Sequence, residues 1–150
     1  MGPVGATRNP GFDAARLRAA RESAGLDRGT LAVRAGVSYP TIVGYEHARH
    51  VPPAPVLVRL AQILNIPSSE LLGTAVEHWT LAEYRIVAGL LQKDAAKALK
   101  ITPDRLSRVE TGVDQLDEAA WERMASVYGT ESRELQASWS RTRRQLLGDL

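Results

Sequence analysis

The stretch Gly25–Glu46, GLDRGTLAVRAGVSYPTIVGYE, decides the fold. Leu26-Asp27 with Leu31, and Val37-Ser38 with Ile42, each set an apolar residue before a short polar one and a second apolar residue four positions beyond it. In such a pattern the polar side chain caps the orphan N–H groups of a first helical turn, and the two apolar side chains close over it as a staple. Gly36 stands between the two starts, where a left-handed residue ends a helix, so the sequence predicts two helices joined by a very short turn. Working outward, Phe12-Asp13 with Leu17 opens a preceding helix that Gly25 stops. Downstream, the Pro-rich link Val51–Pro55 leads into a fourth helix with Leu57, Leu60, Ala61 and Leu64 at helical spacing, and Pro67-Ser68 opens a last turn ending at Leu72.

The same design occurs twice. Residues 17–71 align without gaps on 81–135 at an offset of 64, with 12 identities in 55 positions, among them Arg21/Arg85, Gly25/Gly89, Glu46/Glu110 and Arg59/Arg123. Conservative exchanges such as Val37/Ile101, Ser38/Thr102, Ile42/Leu106, Leu57/Trp121 and Leu60/Met124 carry the pattern further. In the second copy Trp79-Thr80 with Glu83 and Tyr84 combines a capping box with a staple, and Thr102-Pro103 starts the third helix with Pro at its favoured first position. Glu131–Leu147 reads as one longer helix with Leu135, Trp139 and Leu146 on a stripe and a basic face of Arg141, Arg143 and Arg144. The predicted organisation is a flexible N-terminal arm over 1–12, a first domain over 13–73, and a second over 74–150 with an extended C-terminal helix. The expected class is all-α, two tandem five-helix domains.

Composition narrows the chemistry. Cysteine is absent, so disulfides, thiolate metal sites and cysteine nucleophiles are excluded. No run of about 18 apolar residues occurs, so no membrane-spanning helix is expected, and Met1–Pro10 lacks the apolar run of a secretory signal. Residues 1–75 carry eight Arg against five acids, a balance of +3, whereas residues 76–150 carry eleven Lys and Arg against twelve acids, a balance of −1. The first half therefore has the better electrostatic footprint for a polyanion.

The Leu31-Ala32 pair, the Ala35-Gly36 turn, the Val37-Ser38 start, Ile42, Glu46, Leu60-Ala61 and Glu70-Leu71-Leu72 together resemble the lambda-repressor-like (Cro/repressor, XRE) helix-turn-helix family. The likeness covers 13–72 closely and 78–137 more loosely. The first copy departs from the family's pattern at Arg28, where Gln is common, and at Ala48, where Gly is common. The second keeps Gln92 and Gly112 but has Lys100 in place of Gly36, which predicts a different interhelical turn. In this family the third helix enters the major groove and the second crosses the DNA backbone. The resemblance therefore implies base-reading positions Tyr39, Pro40, Val43, Gly44 and His47 in the first copy, with Gly44 fitting either a close groove approach or tight helix packing. It implies Ser107 and Arg108 for the second, on a surface shared with Pro103, Asp104 and Thr111. Phosphate contacts would fall to Arg28, Ser38, Arg49 and His50, and to Gln92, Lys93, Thr102 and Arg105. It further implies structural ion pairs Arg21–Glu46 and Arg85–Glu110.

The expected function is a sequence-specific, double-stranded-DNA-binding transcriptional regulator, a repressor of the phage-immunity or bacterial type, in the cytoplasm with the nucleoid. Because the two third helices differ, one chain reading with both copies would want a bipartite, asymmetric operator. In a competing arrangement the second copy and the C-terminal helix form a homodimer on a palindrome. Another reading is an antitoxin-like interaction protein whose second copy binds a protein partner while the first binds DNA. An enzyme is not expected, since no nucleophile–base pair or phosphate loop can be assembled. Neither a cofactor nor a metal is expected, because His47 and His50 have no clustered ligands beside them.

Overall fold

A computed structural model describes residues 11–148, and the chain folds as two compact units, Met1–Thr74 and Ala75–Leu150. Unit 1 contains α1 (Ala14–Ser23), α2 (Arg28–Ala35), α3 (Tyr39–Glu46) and α4 (Ala54–Leu64), closed by a 3-10 turn at Ser68–Leu71. Unit 2 begins with a 3-10 turn at Val76–His78 and continues through α5 (Leu81–Val87), α6 (Gln92–Leu99), α7 (Pro103–Glu110), α8 (Glu118–Tyr128) and α9 (Ser132–Leu147). Helices α2, α3 and α4 coincide with α6, α7 and α8 to the residue at the offset of 64. Of the arm expected over 1–12, residues 1–10 lie outside the described residues. Phe12 forms an isolated antiparallel bridge with Leu72, and the Gly73 N–H donates to the Gly11 carbonyl at 2.6 Å, so the described end of that segment is tied to unit 1.

The caps form where short polar residues precede the helices. Asp13 accepts from the Ala15 N–H at 2.9 Å, Asp27 from Thr30 at 2.7 Å, Ser38 from Thr41 at 3.2 Å, Thr102 from Arg105 at 3.1 Å and Asp117 from Ala120 at 2.8 Å. At α5 the Glu83 carboxylate reaches back to the Thr80 N–H at 2.8 Å. Leu17, Leu31, Ile42, Leu57, Leu60, Leu71 and Leu72 are fully buried in unit 1, as are Leu81, Ile86, Leu106, Met124 and Leu135 in unit 2. Where unit 1 buries Leu31 on α2 and Leu57 on α4, unit 2 buries Ala95 on α6 and Trp121 on α8, and α6 packs on α8. A loss of volume on one helix is met by a gain on its neighbour, the exchange that cores tolerate best.

The left-handed backbone positions also repeat. Gly25 and Gly89, Gly36 and Lys100, Ala48 and Gly112, and Asn65 and Gly129 all have positive φ. Lys100, at φ 59°, takes the conformation that Gly36 takes at 70°, so the expected difference in the second interhelical turn does not arise. The turn is dictated by helix packing on either side, which overrides the side-chain penalty of about 1–2 kcal/mol.

Each third helix is anchored by a buried ion pair. Arg21 donates through Nε to Glu46 Oε2 at 2.6 Å and through Nη2 to Oε1 at 3.1 Å, with Nη1 on the Leu26 carbonyl at 2.9 Å. Arg85 repeats this on Glu110, at 2.7 and 3.3 Å, with Nη1 on the Leu90 carbonyl at 3.0 Å. The Glu46 side chain is fully buried. Burial alone would push its carboxyl up, but the hydrogen bonds from Arg21 and Arg28 outweigh it and hold the group below the usual carboxylate range. α9 supplies what unit 1 lacks: Leu135 is buried, Ser138 Oγ donates to the Trp79 carbonyl at 2.6 Å, and Trp139 packs edge-on against Trp121 at 6.1 Å.

The ion pair and the left-handed loop each set a measurable stability. Arg21→Met strands the Glu46 charge and is expected to cost unit 1 on the order of 3–5 kcal/mol, read as a lowered midpoint in chemical denaturation followed by circular dichroism. Because the folded carboxyl is lowered, the Glu46 contribution is complete above about pH 4.3 and is lost as pH falls below that value. The deficit of Glu46→Gln against the parent should therefore shrink under acid; a deficit constant down to pH 2 would refute the assignment. In the loop after the third helix, Ala48→Gly removes left-handed strain and should raise stability by about 0.5–1 kcal/mol. At the equivalent position Gly112→Ala should lower it by about 2 kcal/mol or more, since a Cβ there would lie 3.2 Å from the Arg143 backbone. Tryptophan fluorescence isolates the second effect, all three Trp lying in unit 2.

Candidate nucleic-acid interface

The outer flank of α3 is built by its own start. Ser38 caps the helix, its Oγ lies 2.7 Å from Thr41 Oγ1, and Pro40 occupies the first turn, where a missing N–H costs nothing. Tyr39, Pro40 and His47 are exposed and Val43 is half-buried, at spacings that put them along one side of the helix. Tyr39 keeps 53% of its surface accessible, which is high for an aromatic residue in a small domain. Arg49 and His50 are exposed in the loop that follows, and no ion pair engages Arg49 among the described residues.

Gly44 belongs to the interior. It is buried, and a Cβ at this position would overlap Cδ2 of His50, whose imidazole packs over it. The assignment of Gly44 to the base-reading set is therefore corrected: its lack of a side chain serves the fit of the following loop. Arg28 is also not a free phosphate ligand. Its Nε donates to Glu46 Oε1 at 2.9 Å, and Glu46 first and the Tyr39 hydroxyl second hold the guanidinium and raise its pKa. Gln92 does the same in unit 2, donating Nε2 to Glu110 Oε1 at 3.0 Å. The start of the second helix is thus bound into the ion pair in both copies, whichever residue type stands there.

In unit 2 the corresponding face differs more than expected. Lys93, Thr102 and Arg105 are exposed, with Arg105 Nη2 on the Gln115 carbonyl at 3.3 Å, and Ser107 is half-buried with its carbonyl accepting from Thr111 Oγ1 at 2.9 Å. Arg108, expected to be a base reader, is held by Asp114 through Nε at 2.8 Å and by Asp104 through Nη1. Two of the three arginines on the basic face of α9 are likewise engaged. Arg143 donates through Nη1 to the carbonyls of Gly112 at 2.8 Å and Val113 at 3.0 Å and lies over the Trp139 ring, while Arg141 reaches the Trp79 carbonyl at 3.2 Å. The apolar stripe of α9 is largely consumed too, with Leu135 buried and Trp139 donating to the Asp114 carbonyl at 3.0 Å; Leu146 and Leu147 stay exposed.

One pair of residues was missed by sequence reasoning although its signal was present. Arg59 donates to the Ala35 carbonyl at 2.8 Å and Arg123 to the Leu99 carbonyl at 3.4 Å, so an arginine of the fourth helix closes the C-terminal end of the second in each unit. Their identity across the repeat marked them. Among the described residues no cluster of three or more His, Cys, Asp or Glu is placed to hold a metal ion, and no helix is long and apolar enough to cross a membrane.

The family model described as a helix-turn-helix domain matches the chain twice, over residues 14–72 and 79–139. No curated protein and no solved structure matches it. The two matches cover most of the chain and coincide with the two packed units, each with its second and third helices joined by a left-handed turn. The chain belongs to the DNA-binding helix-turn-helix family, in two tandem copies of the Cro/XRE-like type.

Proposed function

We propose that this protein is a transcriptional regulator, a repressor in the simplest case, that binds a specific duplex operator with α3 of unit 1 in the major groove. The observation that carries the reading is the composition of that flank. Tyr39, Pro40, Val43 and His47 present no carboxylate, and Arg49 and His50 follow at the helix end where a DNA strand would pass. Such a surface favours thymine methyl groups and groove shape over bidentate hydrogen bonds, because it offers no Arg, Asn or Gln to base edges. Ser38 and Arg49 serve phosphate oxygens. Glu46 holds Arg28 at the start of α2.

Unit 2 extends the site on the same chain in this reading, which makes the operator bipartite and asymmetric. The use of Leu135 and Trp139 inside unit 2 supports it, since the α9 stripe that would join two chains is reduced to Leu146 and Leu147.

Selection of duplexes from a random pool, followed by binding titrations, tests the reading. Arg49→Ala should weaken binding to all sequences alike and flatten the salt dependence by about one unit of slope, whereas Tyr39→Ala should change the selected sequence. Retention of both affinity and preference in the two variants would overturn it. The mass of the complex on its minimal site decides the symmetry: one chain on unlike halves is expected, and two chains on a palindrome would establish the homodimer instead.

A further inference from the structure

The same backbone geometry does two different things in the two units. The N–H of His50 meets the Gly44 carbonyl at 3.3 Å, and that of Asp114 meets the Arg108 carbonyl at 3.1 Å, so residue 50 folds back over residue 44 as 114 does over 108. In unit 1 the contact is an imidazole over a glycine. In unit 2 it is a carboxylate on a guanidinium, at 2.8 Å, and Asp104, one turn earlier on α7, takes the other side of the same cation. The three side chains form a closed group of net charge −1 on the outer face of α7. Their accessibilities, 81% for Asp104, 43% for Arg108 and 32% for Asp114, place the group at the surface. The counterparts in unit 1 are Pro40, Gly44 and His50, none of them acidic, and Arg49 is replaced by Val113. Arg143, brought to this loop by α9, is turned onto the Gly112 and Val113 carbonyls.

Resting on the DNA-binding function above, we propose that Asp104 and Asp114 are specificity-determining residues: they hold Arg108 away from the phosphate backbone, so that unit 2 rejects duplex DNA lacking a G·C pair that can take the place of Asp104 on Arg108 while Asp114 keeps its Nε. A free surface cation strengthens binding to any duplex by releasing counterions. A cation already balanced by two carboxylates releases none, and the carboxylates are themselves repelled by phosphate. Only a base pair that accepts from Arg108 at guanine O6 and N7 and donates to Asp104 from cytosine N4 satisfies both partners. Unit 2 then contributes discrimination in place of affinity, complementing the basic unit 1.

The test uses the full chain and fluorescence anisotropy on two duplexes, one of random sequence and one selected by the parent protein, across a range of salt. Asp104→Asn with Asp114→Asn should tighten binding to the random duplex by about tenfold, steepen its salt dependence by about one unit of slope, and narrow the ratio between the two duplexes. Asp114→Asn alone should fall between. Arg108→Ala leaves both carboxylates uncompensated, so it should weaken the random duplex modestly and the selected one by about 5- to 100-fold more. All three positions are at the surface, and melting curves for each variant check that it is folded. A double Asn variant that binds random duplex with the parent's affinity and slope overturns the proposal while leaving the DNA-binding function standing. A parent protein that binds no duplex overturns both.

Discussion

A single buried carboxylate at the end of each third helix organises its unit. Glu46 has no exposed side-chain surface, yet it is charged because Arg21 meets it with two parallel hydrogen bonds from α1. Leaving such a charge without its partner costs about as much as the lower end of total domain stability, so position, orientation and charge state are fixed together. The guanidinium that holds the carboxylate also closes the Leu26 carbonyl, which ties the end of α1 to the start of α2. Glu46 Oε1, which accepts from Arg21 Nη2, also accepts from Arg28 Nε. The start of α2 and the end of α3 are thus tied to the same buried carboxylate.

The architecture was legible because its signals are local. Asp13, Asp27, Ser38, Thr102 and Asp117 cap helices through bonds spanning two or three residues, and a staple is visible as spacing alone. The family resemblance, supported by identity of Arg21, Glu46 and their counterparts across the repeat, implied a contact between residues 25 positions apart, and both pairs form. Where local reasoning failed, packing was the stronger term. Lys100 suggested an altered turn, but the α6–α7 junction holds it in the left-handed region regardless, as the fit of two helices outweighs one strained residue.

The candidate site was less legible, and for a consistent reason. Residue type shows what a side chain can do, whereas its neighbours determine whether it is free to do so. Arg28, Gln92, Arg108 and Arg143 are all donors suited to phosphate or base edges, and all four are engaged by acceptors inside their own unit. For Arg143 those acceptors are backbone carbonyls, which no sequence pattern displays. Gly44 was ambiguous for the opposite reason, since a glycine's role is set by what occupies the space beside it, here the His50 ring.

The matched left-handed residues have a consequence for exchange between the copies. The segment from Lys100 to Gly112 and that from Gly36 to Ala48 begin and end in the same backbone conformation at the same separation, so they are geometrically interchangeable cassettes. The interchange is not reciprocal. Unit 1 gains at position 48, where glycine relieves strain, but the α7 cassette would set Arg108 at position 44, where its Cβ would displace the His50 ring. In unit 2 a Cβ at position 112 would lie 3.2 Å from the α9 backbone, so an incoming Ala48 would press its methyl group into Arg143. The obstacle in the first copy is a side chain at the surface, which can turn away, whereas in the second it is the backbone of the extra helix, so the second copy is the more restrictive host.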